Sequence, residues 1–167
     1  LNDINFIEAL LDSLSIEFKI DSSRIYACGY SNGGMMAMGL GMKKSDRFAA
    51  VGSVSASMLD FETPSRRIPT IIIHGTLDES LPYAGNSFYN SIQSQIDFWV
   101  NVNNTDSIPL VSSETSPYGI TTDHYRYLNG DNDVSVEHYK IIDGGHVWRM
   151  DQKIYPAGNP EDDTGLI

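Results

Sequence analysis

The sequence contains little cysteine and little positive charge, and it has no long apolar run. Cys28 is the one cysteine among 167 residues, so the chain cannot form an internal disulfide. Lysine and arginine number 11 against 22 aspartates and glutamates, which gives a formal net charge of −11. A surface this acidic repels phosphate backbones and anionic lipids, so we expect neither nucleic acid nor a membrane surface as a partner. No window approaches about 18 uninterrupted apolar residues, and no membrane-spanning helix is predicted.

What the chain does contain is typical of a folded domain of ordinary size. Hydrophobic residues make up 41% of the sequence, and two Trp, nine Tyr and six Phe supply large side chains for a core. Leu1 opens directly on a helical pattern, without an initiator methionine or a signal-like segment. We therefore expect a single domain that is a piece of a longer chain.

Apolar spacing predicts an alternation of helices and short strands. Helices are predicted over residues 3–18, 32–44 and 86–102, and buried strands over 24–29, 49–55 and 69–73. Such alternation favours parallel pairing and an α/β fold. Residues 121–128 and 134–142 flank a turn-forming stretch at 129–133 and predict an antiparallel hairpin. The tail at 156–167 is acidic and rich in turn-forming residues.

Residues 29–33 read Gly-Tyr-Ser-Asn-Gly, which matches the G-x-S-x-G pattern of a nucleophile elbow. In that motif a sharp strand-to-helix turn lifts a serine hydroxyl clear of the sheet, and the flanking glycines let strand and helix approach. The predicted strand ends at Gly29 and a helix follows Ser31, as the motif requires. Ser31 is the candidate nucleophile; the alternative is an ordinary turn that happens to contain a serine.

A serine nucleophile needs a histidine base and a carboxylate that orients it. Asp78 follows the predicted strand 69–73, and His146 follows the last predicted strand behind two glycines. This order of Ser, then Asp, then His is the order of α/β-hydrolases. Glu79 is the alternative acid, and the alternative for His146 is a purely structural role in its loop. We expect His74 to brace the turn rather than to take part in catalysis.

Two further patterns raise the possibility of a metal site. His124 and His138 could face each other across the hairpin, but no third ligand is evident. Residues 131–133 read Asp-Asn-Asp, yet Val136 and Ile142 stand where a calcium loop needs Gly and Glu. We therefore predict a plain hairpin turn and no metal.

Together these motifs resemble the polyhydroxybutyrate depolymerase-like esterases, a group that includes feruloyl and acetyl-xylan esterases. The resemblance implies an α/β-hydrolase fold, cleavage of carboxylic esters without a cofactor, and a secreted or periplasmic location. By position it gives Ser31 as nucleophile, Asp78 as acid and His146 as base. Its motifs are FIEAL at 6–10, GYSNGGMMA at 29–37, RFAA at 47–50, HGTLDESLPY at 74–83 and GGHVW at 144–148.

The sequence departs from that group at several points. Arg149 stands where Pro is usual, and 85–86 read Gly-Asn where a Gly pair is common. Family members also carry several strands ahead of the helix at residue 3, including the loop with the second oxyanion-hole donor. The backbone N–H of Asn32 is then the one donor that can be named here. The final helix of the fold is not recognisable.

Residues 1–167 are therefore predicted to form a partial α/β-hydrolase catalytic domain, the C-terminal part of the fold, with a mostly parallel sheet and helices on both faces. The predicted function is a serine esterase acting on small or polymeric esters through an acyl-enzyme. A serine peptidase and a non-catalytic binding module that kept the elbow are the alternatives. Since the strands before residue 3 are missing, we expect strand 24–29 at a sheet edge, covered by a second copy or an upstream piece.

Overall fold

Six strands form one mixed sheet in the computed structural model, which describes residues 3–148. The order across the sheet is β1-β2-β3-β6-β5-β4. Strands β1, β2, β3 and β6 are mutually parallel, whereas β5 and β4 run antiparallel to their neighbours. This confirms the predicted α/β class. The strands are β1 (Tyr26–Tyr30), β2 (Ala50–Val54), β3 (Thr70–Gly75), β4 (Leu110–Thr115), β5 (Thr121–Tyr127) and β6 (Val136–Ile141).

Three α-helices of the described chain accompany the sheet: α1 (Asp3–Glu17), α2 (Asn32–Lys43) and α3 (Ile92–Asn103). The first two have nearly the predicted bounds, but the predicted start of α3 at residue 86 is wrong. Asn86 instead closes a turn, since its side chain accepts hydrogen bonds from the N–H groups of Phe88 and Tyr89. The helix begins after Ser91, whose hydroxyl caps it by accepting from the N–H of Ser94.

The core lies between one face of the sheet and the helices. Side chains alternate along each strand, so Val51, Ile72 and Val136 share this face and are buried. Met38 of α2 and Trp99 of α3 are fully buried in the same cluster. The amphipathic α1 lies further out: part of its apolar stripe packs on this cluster, but none of its residues is buried.

The opposite face of the sheet carries an open groove. Cys28, Gly52, Ile71 and Glu137 line it, and Cys28 is exposed. Helices were expected on both faces, and the helices within residues 3–148 pack on the core face. Position 149 and the acidic tail 156–167 lie outside the described residues.

Strand β1 lies at one edge of the sheet, as predicted for residues 24–29. Within the described part of the chain, β2 is its one strand partner. Tyr26 of this strand is an exposed large side chain, 63% accessible. That a second copy or an upstream piece covers this edge stays a prediction.

The predicted hairpin is confirmed as β5 and β6, joined by the turn at 129–133. Strand β4 at the other edge was not predicted, because all six of its residues are exposed and leave no apolar alternation to detect. None of the described helices has both the length and the apolar character that a bilayer crossing demands.

Candidate active site

The three predicted catalytic residues follow three parallel strands of the sheet. Ser31 comes directly after β1, Asp78 three residues after β3, and His146 five residues after β6. Because parallel strands end at the same edge of a sheet, the loops that follow them meet there, and open α/β sheets bind ligands at this edge. The structure brings all three side chains together at this edge.

Ser31 occupies a strained backbone conformation at the turn between β1 and α2. Its φ of 53° and ψ of −120° are unusual for a residue with a side chain. The turn is this tight because strand and helix nearly touch: a Cβ on Gly29 would lie 2.3 Å from the carbonyl carbon of Gly33. Gly29 is thus required by close approach, whereas a Cβ on Gly33 would meet nothing within 4 Å.

His146 links the serine to the carboxylate. Its Nε2 lies 2.9 Å from the Oγ of Ser31, and its Nδ1 lies 2.8 Å from Oδ2 of Asp78. A carboxylate accepts, so the Nδ1–H donates to Asp78 and leaves Nε2 free to accept the serine proton. The side chain of His146 is mostly buried, with an exposure of 20%.

Asp78 is buried and fully hydrogen-bonded. Its Oδ1 accepts from the backbone N–H groups of Ser80 and Leu81, at 3.0 and 2.8 Å. Burial alone raises the pKa of Asp78, but donors from His74, Leu81 and His146 outweigh it and hold the pKa below its usual value. The carboxylate is therefore ionised near neutral pH. Glu79, the alternative acid, is exposed and has no hydrogen bond to His146 among those described.

The loop that carries His146 is anchored to residues at the ends of β1 and β2. The hydroxyl of Tyr30 donates to the carbonyl of His146 at 2.8 Å, and the two rings are 4.9 Å apart. The hydroxyl of Ser55, after β2, lies 3.4 Å from the carbonyl of Val147. Sequence reasoning missed both contacts, although the position of Tyr30 inside the elbow places its backbone beside the nucleophile.

Asn32 is the first residue of α2, so its backbone N–H has no carbonyl in a preceding turn to bind. An N–H at this position, next to the nucleophile and at the positive end of the helix dipole, can donate to a negatively charged oxygen. The role of Asn32 as an oxyanion-hole donor stays a prediction, and its place at the start of α2 is compatible with it.

The histidine pair of the hairpin is not a metal site. His124 pairs with Tyr139 and His138 with Tyr125, so the two histidines point to opposite faces of the sheet. The idea that they face each other is therefore wrong. His124 binds Glu137 at 2.8 Å, while Asp131 of the turn accepts from Arg67 and Asn104. Residues 3–148 contain no cluster of three or more metal-ligating side chains.

Comparison with known proteins gives the family. The phospholipase/carboxylesterase family model matches residues 2–110, well over half of the chain. The chain belongs to the phospholipase/carboxylesterase family. The match includes Ser31 and Asp78 and ends before the segment that carries His146. This also supports the α/β-hydrolase esterase group that the motifs resemble.

Individual relatives are esterases by name. The chain is 26% identical over 166 aligned positions to the "Putative esterase NocK" of Nocardia uniformis subsp. tsuyamanensis, with 87% of this chain and 48% of that protein covered. It is 33% identical over 107 positions to "Cutinase est1" of Thermobifida alba, covering 62% and 36%. "Probable feruloyl esterase C" of Aspergillus niger is 30% identical over 84 positions, covering 50% and 31%. The chain thus spans about half of these relatives, or less.

Proposed function

We propose that this protein is a serine hydrolase of carboxylic esters, with Ser31 as nucleophile, His146 as base and Asp78 as the acid that orients His146. The observation that carries the proposal is the continuous hydrogen-bond chain from Ser31 Oγ through His146 to the buried Asp78. A buried carboxylate, an oriented imidazole and an elbow serine together supply the parts of an acyl-transfer site.

The proposed reaction proceeds in two halves. Ser31 Oγ attacks the ester carbonyl carbon while His146 Nε2 takes the serine proton, and the Asn32 N–H stabilises the oxyanion. The tetrahedral intermediate then expels the alcohol, which receives the proton from His146, and an acyl-Ser31 remains. Water attacks this acyl group with His146 again as base. The carboxylic acid leaves and Ser31 regains its proton, so no redox step is involved.

The substrate that we propose is an uncharged ester, either a small molecule or an acyl group on a neutral polymer. The net charge of −11 disfavours strongly anionic substrates. The names of two relatives, a cutinase and a feruloyl esterase, agree with polymer-linked esters. A polyester of the polyhydroxybutyrate type is one member of the proposed substrate class. Resemblance to the polyhydroxybutyrate depolymerase-like esterases supports a secreted or periplasmic location.

A fluorophosphonate probe tests the proposal on the full-length protein. We expect the probe to label the wild type and not Ser31→Ala, which should also lose about 10⁴–10⁶ in kcat on a p-nitrophenyl ester. Ser53→Ala is the matched control, because Ser53 is a buried serine on β2 whose hydroxyl has no hydrogen-bond partner within residues 3–148. It should keep labelling and turnover.

The same experiment separates the alternative functions. Labelling with faster turnover of amides than of matched esters would favour a peptidase of this fold. Absence of labelling in a folded full-length protein would contradict the proposal and favour a binding module that retains the elbow.

A further inference from the structure

A second histidine lies against Asp78, beside the carboxylate oxygen that His146 contacts. His74 sits near the end of β3 and is completely buried. Its Nε2 is 2.9 Å from the carbonyl oxygen of Leu81 and 3.3 Å from Oδ2 of Asp78. The same Asp78 oxygen accepts from Nδ1 of His146 at 2.8 Å. One carboxylate oxygen therefore lies between two imidazoles, of which the serine chemistry uses one.

The surroundings of His74 fix where its proton sits. Both neighbours of Nε2 are acceptors, a carbonyl and a carboxylate, so Nε2 carries the hydrogen. The other nitrogen, Nδ1, is buried and has no hydrogen-bond partner within the described residues. A hydrogen on Nδ1 would therefore be buried without an acceptor, which is costly. The structure thus assigns His74 the tautomer protonated on Nε2.

His74 also holds Asp78 indirectly, through the backbone of Leu81. The carbonyl of Leu81 accepts from His74, and the N–H of Leu81 donates to Oδ1 of Asp78 at 2.8 Å. His74, Leu81 and Asp78 thus form a closed set of contacts that fixes both carboxylate oxygens. The N–H of Ser80 also donates to Oδ1, at 3.0 Å, whereas among the described residues Oδ2 is contacted by His74 and His146. The direction of Oδ2 toward His146 therefore depends in part on His74.

We propose that His74 is a positioning residue that aims the carboxylate of Asp78 at His146, and that this requires a hydrogen-bond donor at the place of its Nε2. This inference rests on the proposed function of Ser31, His146 and Asp78. A purely structural His74 would only fill space under the loop.

A positioning role and a purely structural role of His74 predict different pH dependence of activity. They differ on the low-pH side of the pH–activity profile, its acid limb. The His74 donor is one of the causes that hold the pKa of Asp78 down. Its loss raises the pKa of Asp78, so the carboxylate of the Asp78–His146 pair takes up a proton at higher pH. Within the described residues, Tyr30 of β1 interacts with Asp78, whereas Tyr83 after β3 and His138 of β6 lie on the side of His74.

The test compares His74→Gln with His74→Asn in the full-length protein. The amide nitrogen of glutamine reaches the place of Nε2, whereas that of asparagine reaches only the place of Nδ1. We expect His74→Asn to lower kcat about 10- to 100-fold, the scale of one hydrogen bond to a charged group, with KM nearly unchanged. Its acid limb should move to higher pH. His74→Gln should recover most of kcat and restore the limb.

A matched control is His138→Gln, which changes another buried histidine with no contact to Asp78. It should lower stability while leaving kcat and the acid limb in place. Equal kcat and equal acid limbs for His74→Gln and His74→Asn would overturn the inference and leave His74 a structural residue. Absence of turnover and of probe labelling in the wild type would instead refute the proposed function, and this inference with it.

Discussion

Acidification should destabilise this protein through His138, a buried histidine of β6 outside the proposed active site. His138 is 2% exposed. Its Nδ1–H donates to the carbonyl of Ile72 at 3.0 Å, and its Nε2 accepts from the hydroxyl of Tyr83 at 2.8 Å. Both nitrogens are thus satisfied in the neutral ring. Burial, joined by the nearby His74, Lys140 and His124, lowers the pKa of His138 from 6.5 to about 4.

The magnitude follows from the difference between the two pKa values. In the unfolded chain His138 takes up a proton near pH 6.5, whereas the folded protein resists it down to about 4. The unfolded state therefore binds more protons in this window. The contribution of His138 to the free energy of unfolding is fully present above about pH 6.5 and is lost as the pH falls toward 4. The total loss from this one residue is about 3 kcal/mol, at 1.36 kcal/mol for each pH unit between the two values.

Urea denaturation of the full-length protein between pH 7.5 and about 4 measures this loss. The comparison is with His138→Gln, which keeps a polar side chain at this position but cannot take up a proton near neutrality. We expect the variant to be less stable at pH 7.5, and the gap to the wild type to narrow by about 3 kcal/mol as the pH falls. Other titrating groups, Asp78 among them, are present in both proteins and cancel. A constant difference in the free energy of unfolding between wild type and His138→Gln across this pH range would refute the reasoning.

Two further predictions concern the site itself. Asp78→Asn should lower kcat by about 10⁴, as in other triads. Glu79→Gln, which removes an exposed carboxylate, should keep kcat within about twofold of the wild type. If steady-state kinetics gave the reverse result, Glu79 would be the acid. Gly75→Ala would place a Cβ 2.1 Å from the carbonyl oxygen of Gly144, so we expect it to cost about 3 kcal/mol or more by thermal denaturation and to lower esterase activity. Gly39→Ala, where a Cβ meets nothing within 4 Å, is the control and should be stabilising by up to about 1 kcal/mol; equal effects at the two glycines would contradict the close approach.

The sequence predicted those parts of the fold that local patterns determine. The strands at 49–55 and 69–73 are apolar runs bounded by turn-forming residues, and they form β2 and β3. The elbow around Ser31 carries its own signal, because a strained turn with close backbone approach needs glycine at position 29. The loop positions of Asp78 and His146 follow from strand ends that were predicted correctly.

Long-range register could not be predicted in the same way. The sequence left open whether His124 and His138 face each other across the hairpin, and the pairing places them one position apart and so on opposite faces. Strand β4 was missed because exposed edge residues carry no apolar alternation. The contacts of Asp78 could not be predicted either. His74 is four residues away and was expected to brace the turn, but the sequence does not show that His74 and His146 contact the same oxygen, Oδ2 of Asp78.

The anchoring of His146 explains how a loop at one strand can serve a serine three strands away. The site spans β6, β3, β2 and β1, and three interstrand spacings of about 4.8 Å amount to roughly 14 Å. A free loop of this reach would hold its histidine poorly. Here each strand that the loop passes contributes a contact: Thr76 after β3 accepts from the N–H of Asp143, Ser55 after β2 lies against Val147, and Tyr30 of β1 donates to His146. Because these contacts come from successive strands, they hold the loop in the position where His146 reaches Ser31 and Asp78 together. Preorganisation of this kind removes the reorganisation that a mobile loop would need before each turnover.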